Sequence, residues 1–265
     1  MSVPGADGRF APCPTGPLHV GNLRTALLAW LFARSAGARF LVRMEDLDRP
    51  RVRPDSEQEQ LADLRALGLD RDGPVARQSE RMALYGEAIS RLDTGGLLYP
   101  CYCTRAEGAR MAFQDRLLGH CEEEVDDFVV RRNDGAPAYQ LAVVVDDADQ
   151  GIGEVVRGAD LVDSTPRQLL LYRLLGLSAP SYAHVPLVLG PDGRRLAKRH
   201  GAVTLADRRA LGEVPVEILA WMASSLGLAE QGERPTPADL LARFDPARLP
   251  LEPTVWSPEP AEPVN

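Results

Sequence analysis

The first fifty residues alternate between strand and helix patterns, and this alternation constrains the fold more than any other feature of the chain. A short strand pattern at residues 9–12 runs into a turn rich in proline and glycine. The next segment has apolar residues at i, i+3, i+4, i+7 and i+8, the spacing of one helix face: Leu23, Ala26, Leu27, Trp30 and Leu31. Gly37 ends this pattern, and residues 39–44 have the pattern of a second strand. A strand, a helix and a strand in this order predict a βαβ unit in an α/β fold.

The rest of the chain continues the mixed pattern without an internal repeat. Five further segments have helical patterns: residues 56–68, 79–95, 164–176, 214–228 and 237–244. Strands are predicted at residues 142–145, 154–156 and 185–189, with an acidic turn between the first two. Residues 97–127 contain three of the four cysteines and have no clear periodicity, so no element is predicted there.

Composition narrows the possible classes of protein. The formal net charge of −8 over 265 residues argues against a protein that coats nucleic acid non-specifically. The sequence has no signal-peptide pattern and no apolar run long enough to span a membrane, so we expect a cytoplasmic protein without a membrane partner. In that reducing compartment, cysteines that lie close in sequence are metal ligands more often than disulfides.

Two segments have the residues expected of a phosphate-binding site. In the first, His19 and Asn22 lie in the first turn of the predicted helix, where free backbone N–H groups and the helix dipole favour anions. Gly21 between them would let a nucleotide approach the backbone closely. The second is the loop of residues 193–201, which holds Lys198, the only lysine among 30 basic residues. A lysine ammonium is a compact charge on a flexible stem and can follow a phosphate through a reaction, whereas the arginine fork is wide and planar.

Together these segments resemble the two signature motifs of class I aminoacyl-tRNA synthetases. His19-Val20-Gly21-Asn22 is similar to the HIGH motif, and Arg195-Leu196-Ala197-Lys198-Arg199 is similar to the KMSKS loop, in the expected order along the chain. The resemblance implies a Rossmann-like catalytic core that binds ATP with Mg²⁺. It implies catalytic roles for His19 and Lys198, and an ATP site formed by His19, Gly21, Asn22 and Lys198.

Four more segments resemble the glutamate-specific branch of this family: residues 9–12, 43–48, 138–141 and 156–161. The resemblance implies that glutamate is bound by Arg9, Cys13, Glu45, Tyr139 and Arg157. The chemistry of glutamate agrees with this set of residues. Its two carboxylates can accept from arginine guanidinium groups, and its ammonium can pair with a carboxylate. We expect these side chains at strand ends that face the ligand crevice of the sheet. Cys13 stands where the branch usually has serine, and a thiol forms weaker hydrogen bonds than a hydroxyl.

The remaining cysteines resemble the zinc subdomain found in many members of the branch. The resemblance implies a structural Zn²⁺ held by Cys101, Cys103 and Cys121. The fourth ligand in the branch is usually a tyrosine at the position of Leu117. His120 could supply a nitrogen instead, although ligands adjacent in sequence strain a tetrahedral site. The other interpretation is three thiols without a metal.

The resemblance also divides the chain into parts. These are the first half of the catalytic domain (residues 1–96), an inserted small zinc-type subdomain with the cysteines (97–127), the second half with the KMSKS-like loop (128–205), a short helical C-terminal region (206–250) and a loose tail (251–265). The segment after Lys198 is too short for the helical anticodon reader of a full glutamyl-tRNA synthetase. A core of this size resembles the members that activate glutamate with ATP without tRNA and then esterify it to queuosine in the anticodon loop of tRNA(Asp). The implied partners are ATP, L-glutamate and tRNA(Asp) that carries queuosine, and we expect a monomer.

Three other functions remain open from the sequence. The first is a truncated glutamyl-tRNA synthetase that charges a tRNA 3′ end. The second is a non-catalytic nucleotide- or RNA-binding remnant, which the intact His19 and Lys198 argue against. The third is a nucleotidyltransferase of the cytidylyltransferase type, which has a related HxGH turn but no use for a set of glutamate ligands.

Overall fold

The computed structural model describes residues 6–99 and 109–256. Nine strands occur in these ranges: β1 (Asp7–Phe10), β2 (Phe40–Met44), β3 (Ala76–Arg77), β4 (Ala109–Asp115), β5 (Gly119–Val125), β6 (Ile152–Gly158), β7 (Ser181–Val185), β8 (Val188–Leu189) and β9 (Thr254–Val255). The same ranges contain eight α-helices: α1 (Val20–Ser35), α2 (Ser56–Ala66), α3 (Met82–Thr94), α4 (Tyr139–Asp149), α5 (Thr165–Leu174), α6 (Leu205–Ala210), α7 (Pro215–Ser225) and α8 (Pro237–Arg243).

Seven of these strands form one mixed sheet in the order β3-β2-β1-β6-β7-β4-β5. All neighbours pair in parallel except β4 and β5, which form an antiparallel hairpin. The predicted βαβ unit is confirmed as β1, α1 and β2. The chain places β2 on one side of β1 and β6 on the other, so a crevice opens outside the carboxyl ends of β1 and β6. Open α/β sheets bind ligands at this kind of position.

Helix α1 lies in the centre of the core, and its N-terminal end lines the crevice. Eleven of its sixteen residues are buried, on every side of the helix. A helix that is apolar all round is expected to be surrounded by protein, and each fully buried leucine contributes about 1.5–3 kcal/mol. Leu23, Leu27 and Leu31 are all fully buried. The N-terminus of α1 is therefore held rigidly at the crevice.

The structure corrects the prediction of a strand at residues 142–145. This segment lies inside α4, where Leu141, Ala142 and Val144 pack against Tyr85 and Tyr172. Consecutive valines favour a strand locally, but the packing of this face against α3 and α5 decides the outcome. The acidic residues that follow are therefore helical and not part of a turn.

Two other segments also differ from the prediction. Residues 109–125, for which no element was predicted, form the β4–β5 hairpin, which joins the main sheet where Asp115 pairs with Tyr182 of β7. The single strand predicted at 185–189 is divided into β7 and β8, because Pro186 lies between them and has no N–H to donate.

The end of the described chain packs on the same core. Residues 254–256 were expected in a loose tail, but β9 pairs with β8, and Trp256 is 2% exposed. The buried Arg24 of α1 donates to Thr254 Oγ1 at 2.7 Å and to the Pro186 carbonyl at 2.8 Å. Within residues 6–99 and 109–256, none of the helices combines the length and the apolar character needed to cross a membrane.

Candidate active site

The crevice at the carboxyl ends of β1 and β6 has a volume of about 410 Å³. It is lined by eight of the site residues predicted from the sequence: Arg9, Cys13, His19, Gly21, Asn22, Glu45, Tyr139 and Arg157. Leu196 also lines the crevice. A 3₁₀ turn begins two residues later, at Lys198. The candidate glutamate ligands thus share one cavity with His19, Gly21 and Asn22 of the candidate ATP site, although they come from segments far apart in the sequence.

Arg9 is buried beside Asp147, and its terminal nitrogens are left for a ligand. Its Nε donates to Asp147 Oδ1 at 3.1 Å, and among the described residues neither Nη1 nor Nη2 has a protein acceptor. Arg43, fully buried, also donates to Asp147 Oδ1, at 2.7 Å. Burial alone would raise the pKa of Asp147, but the two guanidinium groups hold it below its usual range. The carboxylate therefore stays ionised and fixes the direction of the Arg9 fork.

Arg157 is held differently, because all three of its guanidinium nitrogens donate to protein. Nε donates to His184 Nε2 at 3.1 Å, Nη1 to Gln168 Oε1 at 2.8 Å and Nη2 to Thr165 Oγ1 at 2.8 Å. These acceptors are uncharged, and no carboxylate of the described chain forms an ion pair with Arg157. Its orientation is fixed while its positive charge stays available to an anion in the crevice.

Glu45 and Tyr139 border the same cavity. Glu45 follows β2 and accepts from Arg43 Nη2 at 3.3 Å. Burial raises the pKa of its carboxyl, although Arg43 and Arg9 oppose the shift. An ammonium bound beside it would favour the ionised form. Tyr139 lies at the first turn of α4 and not at a strand end, which corrects that part of the expectation. Desolvation and the nearby Glu45 raise its pKa to about 12, so it remains a neutral phenol at pH 7.

His19 caps the N-terminus of α1. Its Nδ1 accepts from the Asn22 backbone N–H at 3.1 Å, and the Asn22 side-chain oxygen accepts from the His19 N–H at 3.3 Å. Because Nδ1 is an acceptor, the proton of the neutral ring is on Nε2. Desolvation and the charge of Arg195 lower the pKa of His19 to about 4. A Cβ on Gly21 would lie 3.0 Å from the His19 ring, so the glycine leaves space for this cap.

The lysine loop is docked against the helix that carries His19. Leu196 is buried and donates its N–H to the Val188 carbonyl at 3.2 Å, while Arg195 pairs with Asp160 at 2.8 Å. Farther along, the Val20 N–H donates to the Val203 carbonyl at 2.8 Å, which ties the loop's end to the first turn of α1. Backbone contacts before and after Lys198 therefore hold the loop against β8 and the first turn of α1.

Of the four cysteines, Cys13 and Cys121 lie within the described residues, and Cys13 is at the crevice. Cys13 is exposed at the crevice, and desolvation, Glu45 and Asp48 raise the pKa of its thiol to about 11, which disfavours the thiolate. Cys101 and Cys103 lie outside the described residues, so the predicted zinc site stays a prediction. Cys121 and His120 are neighbours on β5 and point to opposite faces of the strand, which argues against both binding one metal. No group of three or more His, Cys, Asp or Glu that could hold a metal occurs within residues 6–99 and 109–256.

The buried polar residues that support these side chains were not predicted from the sequence. Asp146 and Asp147 were assigned to an acidic turn, yet both are buried on α4. Asp146 accepts from Gln78 at 2.8 Å and from Arg81 at 2.6 Å. Their only signal in the sequence is two acidic residues directly after an apolar run. This signal indicates buried carboxylates only if the apolar run is recognised as a helix.

Comparison with known proteins identifies the family of the chain. The family described as tRNA synthetases class I (E and Q), catalytic domain, matches residues 7–111 and 105–235. The chain belongs to the class I tRNA synthetases. It is accordingly an enzyme, a ligase of the aminoacyl-tRNA synthetase type. The α/β core and its crevice are the catalytic domain of this synthetase.

Individual relatives of the synthetase are more specific. It is 54% identical to a protein of Nocardia farcinica named glutamyl-Q tRNA(Asp) synthetase, over 95% of this chain and 93% of the relative. It is 47% identical to a protein of the same name from Symbiobacterium thermophilum, over 93% and 94%. Among solved structures, a glutamate tRNA ligase from Elizabethkingia meningosepticum, in complex with its amino acid, superposes with a TM-score of 0.82 at 26% identity. The match covers 95% of the synthetase and 67% of the ligase chain.

Proposed function

We propose that this synthetase activates L-glutamate with ATP, without tRNA, and transfers the glutamate to the queuosine base in the anticodon loop of tRNA(Asp). The observation that carries the proposal is the single crevice that joins a cationic and anionic set suited to glutamate with the His19 cap of α1. The names of the relatives at 47% and 54% identity support the nature of the acceptor.

Recognition of glutamate requires two carboxylates and one ammonium to be matched. The Arg9 fork has both terminal nitrogens without a protein acceptor among the described residues, so it can bind one carboxylate in a bidentate manner. Arg157 provides a second positive charge that no protein carboxylate pairs with. Glu45 is the acceptor for the ammonium, and the neutral Tyr139 hydroxyl can donate to a carboxylate oxygen. Glutamine has a neutral amide in place of one carboxylate and should bind poorly.

Activation joins the glutamate α-carboxylate to the α-phosphorus of ATP, and pyrophosphate leaves. The neutral His19 ring offers its Nε2–H to phosphate oxygens, and the N-terminus of α1 adds a partial positive charge at the same place. Lys198 is assigned to the triphosphate as negative charge moves to the leaving group. Mg²⁺ that arrives with ATP supplies further charge neutralisation in such reactions.

In the second step a hydroxyl of the queuosine base attacks the carbonyl carbon of glutamyl-adenylate, and AMP leaves. Bases of an anticodon loop can be splayed out of their stack and inserted into a protein cavity. Arginines on the crevice rim, such as the mostly exposed Arg195, can hold the flanking phosphates. Transfer should therefore weaken more steeply than activation as salt concentration rises.

The test of the first step is exchange of labelled pyrophosphate into ATP. Purified protein should catalyse this exchange with glutamate alone, in the absence of RNA, and glutamine should substitute poorly. Lys198→Ala should slow the exchange by roughly a hundredfold, the scale of losing one preorganised charged donor. Arg194→Ala, which replaces an exposed arginine of the same loop outside the motif, is the matched control and should have little effect. Equal rates for Lys198→Ala and the unmodified protein would remove the lysine from the mechanism.

A second candidate function is the charging of a tRNA 3′ end with glutamate. The superposition on a glutamate tRNA ligase favours it as the alternative. Both functions share the activation step, so pyrophosphate exchange does not separate them. The position of the glutamyl ester on the tRNA does.

A further inference from the structure

A chain of buried polar side chains connects the β4–β5 hairpin to the crevice. Asp115, the last residue of β4, is 1% exposed, and its Oδ2 lies 2.7 Å from His184 Nδ1. The other ring nitrogen, His184 Nε2, lies 3.1 Å from Arg157 Nε. The three residues come from β4, β7 and β6, and all are almost completely buried.

The direction of these hydrogen bonds follows from the arginine. Arg157 Nε–H can only donate, so His184 Nε2 must accept. The ring proton is then on Nδ1 and is donated to the Asp115 carboxylate. Burial lowers the pKa of His184, although Asp115 opposes this, so the ring is neutral, as this arrangement requires. His184 is thus fixed in one tautomer by Asp115, and this tautomer provides the acceptor that Arg157 needs.

The arrangement also fixes the orientation of Arg157 without neutralising its positive charge. A carboxylate in direct contact with Arg157 would orient the guanidinium but would also offset its positive charge. Asp115 instead lies one imidazole ring away. A planar guanidinium held by His184, Gln168, Thr165 and the Leu161 carbonyl has its plane fixed by four neutral acceptors. Its positive charge is then left for a carboxylate in the crevice.

We propose that Asp115 and His184 are positioning residues of the amino acid site, which hold Arg157 for a substrate carboxylate. The proposal rests on the proposed function, since it assigns glutamate as the ligand of Arg157. It gives the β4–β5 hairpin a role in substrate binding, because the hairpin supplies Asp115. Neither residue touches the substrate, so their effect passes entirely through Arg157.

The test compares two substitutions at His184 in glutamate-dependent pyrophosphate exchange. His184→Phe keeps a ring that can stack on Tyr182, its partner at 6.0 Å, but removes the acceptor for Arg157. It should raise the KM for glutamate by about tenfold to a hundredfold, the range for losing one hydrogen bond to a charged group, with the KM for ATP nearly unchanged. His184→Gln restores an acceptor near the position of Nε2 and should recover most of the affinity for glutamate. Asp115→Asn should raise the KM for glutamate in the same direction as His184→Phe.

The control is Arg116→Gln, which breaks the contact of the same hairpin with Glu154 but leaves His184 and Arg157 alone. It should leave the KM for glutamate unchanged. A merely structural role is shown, and the proposal overturned, if His184→Phe raises both KM values equally or if His184→Gln is as poor as His184→Phe.

A second measurement does not depend on the substrate. Nitrogen NMR of the unmodified protein should show His184 protonated at Nδ1 and unprotonated at Nε2. A proton on Nε2 would overturn the hydrogen-bonded chain whatever the substrate is. If the unmodified protein fails to exchange pyrophosphate with glutamate while the Nδ1 tautomer is found, the proposed function fails and the chain of hydrogen bonds stands.

Discussion

Asp147→Asn is the substitution with the sharpest consequence for both fold and site. Asp147 is 1% exposed and accepts from two arginines, Arg9 at 3.1 Å and Arg43 at 2.7 Å. Asparagine has the same shape but no charge, so two buried guanidinium groups lose their shared counter-ion. For Arg9 this is also the only side-chain partner among the described residues.

The expected cost follows from burial. Removing one member of a buried ion pair typically costs about 3–5 kcal/mol, because the partner charge remains desolvated. The amide oxygen of asparagine can still accept one hydrogen bond, which places the estimate near the lower end, about 3 kcal/mol. The Arg9 fork loses its fixed direction at the same time, so the KM for glutamate should rise by about tenfold or more.

The assay is urea unfolding together with glutamate-dependent pyrophosphate exchange. Asp149→Asn is the matched control, because Asp149 lies two residues farther on the same helix and pairs with Arg81 while 48% exposed. Exposed pairs contribute about 0–1 kcal/mol, so the control should be nearly neutral in both measurements. Equal unfolding free energies for the two variants, with an unchanged KM for glutamate, would refute the role given to the buried carboxylate.

Two further predictions concern pH and metal content. The pKa of His19 is lowered to about 4 in the folded chain, so between pH 6.5 and 4 the unfolded chain binds a proton that the folded chain does not. The free energy of unfolding should therefore fall less between pH 6.5 and 4 in His19→Gln than in the unmodified protein. An identical pH dependence of the unfolding free energy in the two proteins would contradict the shifted pKa. Protein purified without added metal should contain about one zinc per chain by elemental analysis, and Cys103→Ser should lower the thermal stability while Cys13→Ser does not. Full activity and unchanged melting without bound zinc would show that the thiols hold no structural metal.

The parts of the fold that could be predicted from the sequence are those fixed by local patterns. The βαβ unit follows from a helical period between two strands, and the place of His19 follows from its position just before an apolar helix. The residues of the crevice were found because two motifs and a chemically matched glutamate set occur in one order along the chain. These signals need no knowledge of distant contacts.

The parts that failed depend on contacts between distant segments. Helix α4 contains three consecutive valines, and only its packing between α3 and α5 makes it a helix. The same error hid Asp147, which is stabilised by arginines more than a hundred residues away in sequence. The β4–β5 hairpin was not predicted because, within residues 110–125, only Asp115 and Val125 are fully buried, and its place in the sheet depends on one pairing with Tyr182.

The most direct test of the central claim is the position of the glutamyl ester on the tRNA. Labelled glutamate, ATP and the protein should be incubated with tRNA(Asp) that carries queuosine, with tRNA(Asp) that lacks it, and with tRNA(Glu), and the products mapped with nucleases. We predict label only in the anticodon-loop fragment of the queuosine-containing tRNA(Asp). Label on the 3′-terminal adenosine of tRNA(Glu) would contradict the account and identify a synthetase that charges the 3′ end.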